Sequence, residues 1–384
     1  MPYSLPYVLF VLFLLVIGVV QLGIPLDQKS RRMLNGLVII AYVCFFGFRG
    51  FIATDWINYF RFFKALPTSF SLGLKNSSFE SGFVVYSILI KKISTSYLFF
   101  QLVNTITNLI LLHIFFKRYL PDKYYTLGFT IFVVFGFLIE INLLRNSKSL
   151  LIFLLSLKYI EDRNWIKYYL MMSLALMFHW SSFIFLPLYF FLHKKIDVRI
   201  FIAIFVIGTL IYLFNIEYIK PVINYLSKWL PVESSENISG YLGSKVYGKA
   251  FGFGFGYFER TLTAIIIMLF YGKLINIKHS VIFINSFLIY IIIYLYFSEV
   301  YIAIVRIAYL FSYSYWILIP MLIMAIDKNF KIILYSLFGI FLLLKIHVST
   351  NNIFFKYDNF LSSSVQPYKD RYEIYLKYKD TIDK

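Results

Sequence analysis

Residues 5–26, LPYVLFVLFLLVIGVVQLGIPL, hold no charged side chain. At about 1.5 Å of rise per helical residue, the run is long enough to cross a hydrocarbon core of about 30 Å. No basic residue precedes it and no small-residue cleavage pattern follows, so it reads as a retained transmembrane helix rather than an export signal. The rest of the chain repeats the theme. Of 384 residues, 60% are hydrophobic and only 15% charged, more apolar content than a soluble core of this length can bury. Further apolar runs bring the expected number of spans to about twelve. The expected fold class is therefore all-α, a polytopic integral membrane protein.

The formal net charge of +18 suggests nucleic acid only if the cations gather on a soluble face. Here they are dispersed among apolar spans, so membrane topology and an anionic lipid-linked ligand explain them better, with no nucleic-acid partner. Cys44 is the sole cysteine, which excludes an intramolecular disulfide and reads as a small buried hydrophobe.

Lys and Arg are retained on the cytoplasmic side during insertion. With the N-terminus outside, every short basic turn falls inside, Lys29 with Arg31 and Lys117 with Arg118 among them. That arrangement requires residues 79–93, FESGFVVYSILIKKI, to lie along the outer surface as an interfacial helix, with Glu80, Ser87 and Lys91 on one polar face. The organisation expected is a multi-spanning domain over 1–346, outer loops at 51–96 and 215–258, and an outer Tyr- and Lys-rich tail over 347–384. The 215–258 loop reads as a partly helical lid.

Charges at the edges of apolar runs are the candidates for chemistry, because ionised groups near hydrocarbon are costly and usually face a cavity. In FRGFIATDWINYFRFF, residues 48–63, Arg49 and Asp55 sit among aromatics suited to an interface. They read as a structural pair, or as a phosphate contact and a base for a sugar hydroxyl. Arg145 and Lys148 fall at the turn before a later span, Arg145 pairing with Glu140 or meeting phosphate. His179, in FHWSSFIFL, interrupts an apolar stretch and reads as a base, a hydrogen-bonding group or a helix cap. Glu299 and Arg306, seven residues apart, either pair or leave Arg306 as a further cation for a diphosphate. The chain has no metal-ligand spacing and no paired cysteines, so no metal or cofactor is expected. GSKVYGKA, residues 243–250, nearly matches a phosphate loop, but Ala250 stands where Ser or Thr is required and no strand precedes it.

Taken together, RGFIATDWINYFRF at 49–62, Glu80 opening the next segment, LRNSKSL at 144–150, FHWSSFIFL, a late membrane-edge Arg306 and Pro367–Tyr368 in the tail resemble the EpsG/Wzy-type polysaccharide polymerases of bacterial capsule, exopolysaccharide and O-antigen pathways. By position, Arg49, Asp55, Glu80, Arg145, His179 and Arg306 match that family's recurrent polar residues. Where the family often has GxDxxxY, this chain has ATDWINY, lacking the glycine. The layout is also similar to lipid-dependent glycosyltransferases of the GT-C architecture.

The resemblance implies an enzyme of the bacterial cytoplasmic (inner) membrane whose active site faces the periplasm or cell exterior. It would move a growing glycan from polyprenyl pyrophosphate to the terminal sugar of a lipid-linked repeat unit. A polyprenyl-pyrophosphate-linked oligosaccharide, membrane lipid, and the flippase and chain-length regulator of the same pathway are the expected partners. Asp55 and His179 are the expected catalytic residues, with Arg49, Glu80, Arg145 and Arg306 binding substrate. The competing readings are a single-sugar transferase using a polyprenyl donor, a lipid-linked oligosaccharide flippase or transporter, and a structural membrane scaffold.

Overall fold

Helix follows helix along the computed structural model, which describes residues 2–227, 254–299, 301–326, 328–361 and 366–378. Most of the 215–258 loop, including the 243–250 near-match, lies outside the described residues. Among the described residues no strand forms, and β pairing is confined to an isolated bridge between Arg49 and Asn359.

The chain divides into two units, one comprising residues 1–190 with 315–379 and the other residues 191–314 with 380–384. In the first, α1 (Leu5–Gly23) is apolar all round. It buries Tyr7, Val11 and Leu14 yet exposes Leu9, Leu12, Val16 and Val19 along its other side. An exposed face as apolar as the buried one belongs against lipid, since water would charge about 25 cal/mol for each Å² of it. α1, α6 (Tyr97–Tyr119) and residues Phe330–Thr350 are the three described helices long and apolar enough to cross a membrane, and five others are apolar but shorter. The expected twelve spans thus resolve into three full-length candidates and a set of shorter helices.

α2 (Gln28–Tyr42) closes in a π-turn, Val43–Gly47, just before Arg49. Three short helices follow: α3 (Trp56–Ala65), α4 (Phe70–Asn76) and α5 (Ser81–Ile93). At 13 residues α5 is about 20 Å long, shorter than a hydrocarbon core of about 30 Å. Its expected polar face turns inward. Ser87 is fully buried, and the Lys91 ammonium donates to the Phe63, Lys64 and Leu66 carbonyls at 2.6, 2.9 and 2.6 Å. Those are the carbonyls a helix end leaves unmet, so Lys91 terminates α3 and fastens it to α5. α7 (Asp122–Phe135), α8 (Phe137–Ile141), α9 (Leu144–Glu161) and α10 (Trp165–Phe178) complete this part of the unit. Gly82 lets α5 meet the end of α10, because a Cβ there would lie 2.8 Å from the Met177 carbonyl oxygen.

The tail folds onto the stretch between α2 and α3. Gly50 and Ala53 donate their amides to the Asp358 and Phe354 carbonyls, both at 2.9 Å. Tyr368 stacks on Phe60 at 4.2 Å and meets Trp56 edge-on, while Arg371 pairs with Asp358 at 3.1 Å.

In the second unit, Asn285 of helix Ser280–Tyr296 donates to the Phe191, Leu192 and Lys194 carbonyls. The Glu299 carboxylate accepts the Tyr218, Ile219 and Lys220 amides at 2.7, 2.9 and 3.0 Å, capping helix Ile219–Ser227. That cap, rather than the expected pairing with Arg306, accounts for the Glu299 carboxylate. Arg306 is exposed on helix Tyr301–Tyr309.

Candidate active site

Arg49 and Asp55 part company. Arg49 is buried, its side chain 2% exposed and 3.8 Å from the Glu140 carboxylate. Thr105 stands between them, its hydroxyl accepting from Arg49 at 3.0 Å and donating to Glu140 at 2.8 Å. The other Glu140 oxygen accepts from Asn108 at 2.8 Å, and Asn108 accepts from the buried Lys148 ammonium at 2.6 Å. Glu140 therefore meets Arg49, not the Arg145 expected from sequence, and Lys148 lies inside the unit rather than at the turn.

The helix that lines this network had a legible signal. Gln101, Asn104, Thr105 and Asn108 of α6 recur at i, i+3, i+4 and i+7, a polar stripe on a largely apolar span. All four are buried.

Asp55 sits at the start of α3, half-buried, and its carbonyl accepts the Asn58 and Tyr59 amides. The Asn142 side-chain oxygen accepts the Thr54 and Asp55 amides at 3.3 and 3.4 Å, holding the turn against the junction of α8 and α9. Ala53 occupies the position where the family pattern has glycine, and its φ is 67°, the left-handed region glycine favours. Its carbonyl accepts the Trp56 indole at 3.0 Å. The backbone bend is thus kept without the glycine, held by the indole and by the tail.

Glu80, Arg145 and His179 come together. Arg145 donates to Glu80 at 2.6 Å, and the other Glu80 oxygen accepts the Trp180 amide at 3.3 Å. The guanidinium lies over the Phe79 ring at 4.1 Å and also reaches the Tyr59 hydroxyl. Its Nε has no hydrogen-bond partner among the described residues. Tyr59 lies one helical turn after Asp55 on α3, and its amide donates to the Asp55 carbonyl at 3.2 Å. Burial pushes its hydroxyl pKa up, Arg145 pulls it down and the Asp55 carboxylate pushes it up again.

His179 ends α10, in the turn before the 3₁₀ segment Trp180–Phe190. Its Nδ1 accepts the Ser181 amide at 3.0 Å, which fixes the neutral ring as the Nε2–H tautomer. Burial holds its pKa down to about 4, with Glu80 raising it and Arg145 lowering it. A ring with one nitrogen accepting and the other protonated donates a hydrogen bond more readily than it takes a proton.

Of the sequence candidates, Asp55, Glu80, Arg145 and His179 lie around Tyr59 and Phe79. Arg49 stands behind them with Glu140, and Arg306 belongs to the second unit. No curated protein and no solved structure matches the chain. A family model does match, over residues 32–369, and by that match the chain belongs to the EpsG family.

Proposed function

We propose that this chain is a polysaccharide polymerase. It transfers a growing glycan from polyprenyl pyrophosphate to the terminal sugar of a lipid-linked repeat unit, on the outer face of the cytoplasmic membrane. The observation that supports the reading is the partly exposed Arg145 guanidinium, anchored by Glu80 at 2.6 Å beside the His179–Trp180 turn, on a family background of polysaccharide synthesis.

In the proposed step the acceptor hydroxyl attacks the anomeric carbon and a new C–O bond forms. The bond from that carbon to the pyrophosphate oxygen breaks, and the leaving group takes the electron pair. Asp55 accepts the hydroxyl proton. Arg145 faces the charge that develops on the leaving diphosphate, using donors that Glu80 does not occupy. Glu80 keeps the guanidinium aimed, and His179 supplies an Nε2–H donor to a sugar or phosphate oxygen. Arg49 acts from behind, fixing Glu140 and through it the start of α9. Arg306 is proposed as a further phosphate-binding cation. In the same reading α5 lies in the outer interface, and the chain crosses the membrane about twelve times, the number its apolar runs suggest.

The test is a reaction of the purified chain with lipid-linked repeat unit in detergent, read by product length. A ladder of increasing length is expected. Single-unit products would point to a one-sugar transferase, and unchanged substrate would overturn the reading.

A further inference from the structure

α3, α4 and the turn leading into α5 enclose a cleft of about 690 Å³, within the range of about 300–1,000 Å³ usual for small-molecule sites. Along α3, Asp55, Asn58, Phe62 and Ala65 follow one another at spacings of three, four and three, which places them on one helical stripe. The last three line the cleft, so its axis runs along α3 toward Asp55. Across from them stand Asn76, Ser78 and Phe79. Asn58, Asn76 and Ser78 are exposed, while Phe62 and Phe79 are half-buried with ring centroids 4.5 Å apart. Phe79 also carries the Arg145 guanidinium, so the cleft and the Glu80–Arg145 cluster share a wall.

We propose that this cleft binds the sugar portion of the acceptor, a short neutral or weakly acidic oligosaccharide. A pyranose ring presents C–H faces that pack on aromatic surface and a rim of hydroxyls that both donate and accept. Phe62 and Phe79 answer the first, and the Asn58 and Asn76 amides with the Ser78 hydroxyl answer the second. A lipid phosphate would ask for cations, and Arg61 is the one cation among the lining residues. That guanidinium already donates to the Tyr372 hydroxyl at 2.7 Å and lies over its ring. The direction of the stripe puts the sugar's reacting end at Asp55 and its continuation toward Ala65. Lys91 keeps the cleft open by fastening the end of α3 to α5. The inference rests on the polymerase reading, for it names where that enzyme's acceptor lies.

The test uses oligosaccharides made by partial acid hydrolysis of the parent cell's own surface polysaccharide. Their binding to the full-length chain in detergent is followed by saturation-transfer NMR and calorimetry. The wild-type chain is expected to bind. Asn76→Ala is expected to bind about tenfold more weakly, the scale of one lost hydrogen bond. Ser78→Trp, which fills the cleft, should abolish binding. Elution profiles in detergent separate misfolding from lost binding. Wild-type affinity in both Asn76→Ala and Ser78→Trp, no binding by the wild-type chain, or displacement of the sugar by glycerol phosphate would each overturn the cleft assignment. The polymerase reading is judged separately, by the length of polymer made when the gene is removed. Cells that keep their polymer unchanged sink that reading even if the cleft binds sugar.

Discussion

Arg145 and Glu80 join across 65 residues of sequence through a 2.6 Å ion pair. Because Glu80 also accepts the Trp180 amide, one carboxylate ties together the starts of α5 and α9 and the turn after α10. The pair is partly open, with the Arg145 side chain 23% exposed, so a phosphate can approach the guanidinium without dismantling its anchor. We predict that Arg145→Lys expresses and inserts normally but loses most activity, because a point charge cannot reproduce the planar fork. Turnover measured at the wild-type rate would reduce Arg145 to a structural role.

His179 is predicted to serve as a donor and not as a base. Its folded pKa, about 4, lies below the ordinary value near 6.5. The unfolded chain therefore binds more protons between those limits. The ring's contribution to stability is complete above about pH 6.5 and is lost as pH falls toward 4. In histidine-labelled protein, the resonance removed by His179→Ala should not titrate between about pH 8 and pH 5.5. His179→Gln, which keeps a donor, should retain more transfer activity than His179→Ala. A His179 resonance that titrates near neutrality would overturn the donor assignment.

The sequence made the membrane class legible, because apolar runs such as 5–26 need no tertiary information to interpret. It also named Glu80, Arg145 and His179 one by one. Their meeting was not legible, since it depends on contacts between residues 65 and 100 positions apart that no local spacing encodes. The nearest charge in sequence misled twice. Arg49 passes over Asp55 for Glu140, and Glu140, five residues from Arg145, pairs with Arg49 instead. The stripe on α6 could have shown where those charges go, because a span carrying four polar residues on one face must offer them to something buried. The tail's hold on the 50–53 backbone has no signal beyond the aromatic residues at 368 and 372.

Ala53 should tolerate glycine and reject branching. An L-residue in the left-handed region costs about 1–2 kcal/mol, which glycine avoids, and a β-branched side chain fits there poorly. We expect Ala53→Gly to be at least as active and heat-resistant as the wild type. Ala53→Val should stay inserted but lose transfer, because the Asp55 turn can no longer form. Equal activity and thermal stability across all three chains would show that the turn is not constrained at this position.

Glu140 stands between two buried cations, reaching Arg49 directly and Lys148 through Asn108. Removing the carboxylate alone leaves those cations without their counter-ion, a loss of about 3–5 kcal/mol for a buried pair. Glu140→Leu should therefore shorten the half-life of the detergent-solubilised chain at elevated temperature. Arg49→Met combined with Glu140→Leu should recover a large part of it. If the double variant is no more durable than the single one, Arg49 is not the partner that matters.

Asp55 decides the mechanism. It starts the helix whose stripe lines the cleft, and its backbone is pinned by Asn142. Asp55→Asn keeps size and hydrogen-bonding capacity but removes basicity, so a structural role should survive it and a proton-accepting role should not. We predict a folded, inserted chain that still binds lipid-linked substrate and transfers at least roughly a hundredfold more slowly, the usual lower bound for a lost general base. Binding is to be measured separately from single-turnover transfer, beside His179→Ala. If Asp55→Asn polymerises at the wild-type rate while His179→Ala is folded and inactive, the base is His179. In that case its Nδ1 bond to the Ser181 amide must break during the reaction cycle. If both variants fold and remain fully active, the chemistry lies elsewhere in the chain.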